Sequence, residues 1–188
     1  MLEKAIAWAI ALTVTTFCFF GAVRGCAAEA DTGAQLEEVA AGIAELQPAA
    51  AGQRANRLAA VFAEAGRRHN HDPLLLVAIA FRESSLAVDV EEHRRRGALG
   101  EGGLMQVHGA ALRARPHYCP LPLPDAECQV QTGAAWLAYA RAACGGSWWR
   151  WVAAYGLGAC PSEERAREHA AARVAHRYYT RIGGTRWD

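Results

Sequence analysis

Between Asp72 and Ser84 the alternation of apolar and charged positions gives way to a run that is apolar almost all round, from Leu74 through Ile79 to Phe81. Asp72 is a good N-cap and Pro73 suits the first helical position, so the pattern predicts a helix over 73–84. A helix without a polar face belongs in the middle of a core. At ~1.5 Å per residue it would be ~18 Å long and would carry Glu83 to the edge of that core.

Upstream, Leu36, Val39, Ile43 and Leu46 share one helical face, followed by a linker-like stretch from Gln47 to Gly52. Leu58, Val61, Phe62 and Ala65 mark a second amphipathic helix that ends near Gly66 to Asn70. Downstream, 89–103 is a polar loop whose Arg94-Arg95-Arg96 run reads as solvated. A helix beyond Gln106 would stop at about Arg115, before the proline-rich loop 116–124. Asp125 caps a long helix to about Ala143, and Gly145-Gly146 break it. Ser147 caps a short aromatic helix, Trp148 to Tyr155, and Pro161-Ser162 start a last helix over 163–181. No segment reads as a strand. The expected architecture is mainly α in a single domain, with at most a small β element in the 89–103 loop.

Composition adds the compartment. Lys4, the apolar stretch Ala5 to Val23 and Ala28-Glu29-Ala30 have the order of a signal peptide over 1–30. Export to the periplasm is the simplest account, with an uncleaved anchor or a lipidated Cys26 as alternatives. Residues 31–54 would then be an N-terminal helix and linker, and 55–188 the functional domain. Beyond the leader remain Cys119, Cys128, Cys144 and Cys160, an even number that suits an oxidising compartment. Of the three connectivities, the two local loops Cys119–Cys128 and Cys144–Cys160 are favoured, because each staples a connection between helices. The part after the leader has 18 Arg, no Lys and 17 Asp plus Glu, without the basic excess of nucleic-acid binders. No cofactor is expected. No cysteine pair has structural-zinc spacing, and His69-x-His71-Asp72 lacks further ligands nearby, so no metal site is expected either.

Glu83 is the candidate for chemistry. An apolar helix desolvates its carboxyl and the negative helix end disfavours its charge, and both effects raise its hold on a proton. A carboxyl so tuned can protonate a poor leaving group such as a glycosidic oxygen. The bland alternative is a structural ion pair with Arg82, Arg94, Arg95 or Arg96.

Three segments extend the case. Glu83-Ser84, Gly102-Gly103-Leu104-Met105-Gln106 and Ala153-Ala154-Tyr155 resemble, in order and spacing, the three motifs of the soluble lytic transglycosylase domain, a family with a lysozyme-like fold. Gln129 to Leu137 is similar to the segment preceding the third motif, and the resemblance covers about residues 55–182. It implies that Glu83 is the lone catalytic acid and base. The substrate would be the β-1,4 bond between N-acetylmuramic acid and N-acetylglucosamine in peptidoglycan glycan strands, and the muramoyl 6-hydroxyl would attack to give a 1,6-anhydro end. It also implies substrate contacts from Ser84, Gly103, Met105, Gln106, His108 and Tyr155. Gly103 would let backbone approach a sugar, and the Gln106 amide would serve an acetamido group. Of Trp148, Trp149 and Trp151, which could stack on sugars, at least one should pack in the core.

Gly156 stands where the family usually has Asn, His108 where it often has Met or Pro, and the interval from Glu83 to Gly103 is longer than in many members. Two rival functions stay open. One is a goose-type lysozyme in which Asp89, Glu92 or Glu101 positions a hydrolytic water, and the other is a peptidoglycan-binding module that does not cut. A monomer is expected. The resemblance also implies partners among the secretion, pilus or phage machinery that crosses the envelope.

Overall fold

The apolar run does form the central helix. In the computed structural model, which describes residues 32–97, 100–108 and 125–185, α3 is Pro73–Ser84, with Leu74 to Ala80 buried on every side. Its start is fixed twice. Asp72 accepts from Leu74 N at 2.9 Å as the N-cap, and the Tyr179 hydroxyl donates to its other oxygen at 2.6 Å. Its end is equally marked, because Ser85 (φ 56°) and Leu86 (φ 50°) are both left-handed and turn the chain away just past Glu83.

The other described helices are α1 over 32–46, α2 Gln53–His69, the short α4 Val88–Glu91, α5 Ala126–Cys144, α6 Trp148–Leu157, α7 Glu163–Glu168 and α8 Ala170–Arg181. Helix α3 lies against α2 and α8, α5 joins α2 to α6, and α6 packs on α7 and α8. The fold is mainly α. Among the described residues the 89–103 region holds no strand, and the sole β feature there is an isolated antiparallel bridge between Gly102 and Val107.

The chain divides into the units Met1–Leu36 and Glu37–Asp188. The leader expected over 1–30, the helix and proline-rich loop expected over 109–124, and Cys119 lie outside the described residues. Within the second unit, Val39, Ile43, Leu46 and Ala50 are buried, so the stretch read as helix and linker contributes to the core. A 3-10 turn, Pro48–Ala50, replaces the linker.

The last helix is the clearest departure. It breaks into α7 and α8 at His169 (φ −63°, ψ 119°), which ends one helix and starts the next. No glycine or proline marks the spot. Cys144 and Cys160 form the expected disulfide, with Cα atoms 5.2 Å apart. Cys128 is also disulfide-bonded.

Candidate active site

Glu83 emerges at the last turn of α3 with only 15 % of its side chain exposed. Burial is the main reason its carboxyl holds a proton more tightly than an ordinary glutamate, and the Glu101 carboxylate pushes the same way. Arg82 opposes both, by its charge and by an ion pair from Nη1 to Glu83 Oε1. The structural pair named as the bland alternative therefore exists. It does not neutralise the desolvation, so the net direction remains upward.

The glycine-rich turn is held to the helices by buried polar groups. Gln129, 1 % exposed on α5, accepts from Leu104 N at 2.8 Å, and its amide nitrogen donates to Glu91 O at 2.8 Å. One side chain thus joins the turn, α4 and α5. Gly103 (φ +72°) is required by this arrangement, since a Cβ there would lie 2.7 Å from Gln129 Cγ. The need for glycine arises from packing beneath the turn, whereas the sequence suggested sugar above it. Sequence reasoning missed Gln129 as a positioning residue, although a glutamine among the apolar positions of a helix was the available signal.

Met105 is 1 % exposed and packs where a Cβ on Gly133 would otherwise stand. Its carbonyl accepts from the Tyr155 hydroxyl at 2.6 Å, a bond that ties the second motif to the third. The Tyr155 hydroxyl is pushed well above its ordinary value by burial first and by the charge of the Glu83 carboxylate next. Ser84 is 5 % exposed, with its hydroxyl donating to Ala80 O and accepting from Leu86 N. Ser84, Met105 and Tyr155 therefore brace the site from below, and their hydrogen bonds are spent inside the protein. Replacing Tyr155 with Phe strands the Met105 carbonyl and should cost about 1–3 kcal/mol, read as a lowered urea midpoint. A protein of unchanged midpoint would show that the bond is not structural.

Gln106 is half-buried and left-handed (φ 47°), with its Nε2 donating to Gly103 O at 2.8 Å. That bond turns Oε1 toward Gly97, where a built Cβ would stand 2.8 Å from it and would collide with Glu101 Oε2. Two acceptor oxygens therefore face one spot above Gly97. Asp89, in α4, and Glu92, just past its end, are instead engaged by Arg95 and Arg94, at 2.8 and 2.6 Å. His108 is exposed just past the bridge.

The third-motif departure has a structural counterpart. At Gly156 a Cβ would stand 3.7 Å from His169 Cε1 and 3.8 Å from Arg82 Nη1. Arg82 and His169 thus both lie within ordinary contact distance of the bare face of Gly156, and Arg82 also pairs with Glu83. Trp148 and Trp151 are buried, whereas Trp149 is half-buried and stacks with His176 at 4.9 Å between centroids.

His69 and His71 have structural partners, Gln131 Oε1 at 3.1 Å and Ala134 O at 3.2 Å. A family model described as Transglycosylase SLT domain matches residues 60–177, from within α2 to within α8. No curated protein matches the chain.

Proposed function

Because the chain belongs to the transglycosylase SLT domain family, we propose that it is a lytic transglycosylase of peptidoglycan, with Glu83 as acid and then base. The observation that carries this reading is a mostly buried carboxyl with raised proton affinity, whose charge acts on the third-motif Tyr155, the residue whose hydroxyl bonds the second-motif turn. Glu83 protonates the oxygen of the β-1,4 bond on the N-acetylglucosamine side as the muramoyl anomeric bond breaks. The resulting carboxylate takes the proton of the muramoyl 6-hydroxyl, whose oxygen closes onto the anomeric carbon. The substrate supplies the nucleophile, so the scheme needs no second carboxyl. We place this activity outside the cytoplasm, a location supported by the leader-like first thirty residues and by the disulfide between Cys144 and Cys160.

A second reading has its own observation. Of the three carboxylates weighed for a hydrolase, Glu101 is the one whose charge acts on Glu83, and with Gln106 Oε1 it would orient a water. Ordinary glycoside hydrolysis uses a second carboxyl at about 5 to 9.5 Å for this purpose. Digestion of purified sacculi by the protein separates the two. We expect muropeptides with 1,6-anhydro ends, 18 mass units (one water, ~18 Da) lighter than their reducing counterparts. Reducing ends would assign the chemistry to Glu101 and water.

A further inference from the structure

Arg82 is asked to do very little by the protein around it. Its side chain is 29 % exposed, and its described hydrogen bonding is the single contact from Nη1 to Glu83. The other guanidinium nitrogens have no hydrogen-bond partner among the described residues. His169 stands across Gly156 from it and has a buried ring nitrogen, Nδ1, with no partner among them either. The break between α7 and α8 places this ring at the site. A cationic fork and an imidazole, each within 4 Å of the point where a Gly156 Cβ would stand, form a place for an anion of carboxylate shape.

We propose that Arg82 and His169 form a carboxylate-binding subsite beside Glu83, and that a substrate carboxylate seated there takes Arg82 from the acid and so arms it as a proton donor. This rests on the transglycosylase reading above. The coupling follows from charge. Arg82 favours the ionised form of Glu83, whereas burial and Glu101 favour the protonated form. An anion that recruits the guanidinium removes the opposing influence. Around His169 the charged neighbours are Arg82 on α3 and Arg165 on α7, and after burial these keep the ring neutral, so it enters as a hydrogen-bonding group. A glycan strand carries such a carboxylate in two places: the lactyl group of a muramoyl residue stripped of its peptide, and the peptide stem.

The test uses the full chain with four oligosaccharides: peptide-free glycan with the lactyl carboxylate free or amidated, and peptide-bearing glycan with stem carboxylates free or amidated. Cleavage is followed by mass and binding by calorimetry. In one of the two pairs the free carboxylate should raise kcat/KM and affinity by about 10- to 100-fold, and that pair identifies the source. The alkaline limb of kcat should also lie about one pH unit higher for the free acid. Arg82→Gln and His169→Leu should both abolish the preference. Gly156→Ala should keep it, because its Cβ makes only ordinary contacts, while Gly156→Asn should lose it by intruding between the two groups. Equal handling of both pairs overturns the proposal, as does a preference that survives Arg82→Gln. If no glycan is cut but a free carboxylate still binds better, the subsite stands and the transglycosylase reading falls. If none is cut and none is preferred, both fall.

Discussion

Glu83→Gln should lower the rate of muropeptide release by roughly 1,000-fold or more, since a positioned general acid contributes ~10²–10⁴ and this residue is asked to serve in both halves of the reaction. The amide keeps the size and shape of the carboxyl and its carbonyl oxygen can still accept from Arg82, so folding is preserved. What is lost is the proton. The raised proton affinity of Glu83, set first by burial and opposed by Arg82, also fixes the direction of the wild-type pH profile. Only the protonated form can donate, so kcat falls as pH rises through the Glu83 pKa, and the limb lies above that of an ordinary glutamate. Release of soluble fragments from sacculi, measured by mass, checks both statements. A variant that retained a tenth of wild-type activity would remove Glu83 from the role.

Acidification should weaken the fold by about 3 kcal/mol between pH 7 and pH 4 through His71 alone. The ring is 8 % exposed, donates from Nε2 to Ala134 O, and lies 5.9 Å from Trp151. Burial, followed by the charge of Arg141, lowers its pKa from 6.5 to about 4. In the unfolded chain it protonates near 6.5, so the native state binds fewer protons throughout the interval between those values. The stabilisation is complete above pH 6.5 and is lost as pH falls through 4. His69 is lowered as well, chiefly by burial, and adds in the same direction. Glu83 acts oppositely, because a raised carboxyl pKa favours the folded state on acidification. Urea unfolding at pH 7 and pH 4 measures the difference. His71→Gln, whose Nε2 can replace the ring N–H to Ala134, should flatten the dependence by most of that amount, and a wild-type profile already flat would contradict the assignment.

The central helix was legible because its signals are local. An apolar run, an Asp-Pro start and a polar end lie within thirteen consecutive residues, and the structure reproduces the bounds Pro73–Ser84. The helix from Asp125 and the break at Gly145-Gly146 were legible for the same reason. What escaped depends on partners distant in sequence. Gly103 is dictated by Gln129, which only the folded chain brings beneath it. The division at His169 has no glycine or proline to announce it, and its ring lies near Gly156, which another helix supplies. The resemblance places Met105 in the second motif but does not say that its side chain fills the notch at Gly133. The motifs therefore pointed to the candidate site, while the division between groups that face outward and groups that brace it from below required the tertiary structure.

The bond between Cys144 and Cys160 closes a hoop around α6, with both ends of the third-motif segment pinned 5.2 Å apart. Residues 145–159 are thereby a cassette of fixed footprint, in which Tyr155 and Gly156 can be exchanged together with their neighbours while the entry and exit points stay put. Transplanting the equivalent stretch from another family member is thus the most conservative route to testing how this segment bears on the proposed choice of glycan.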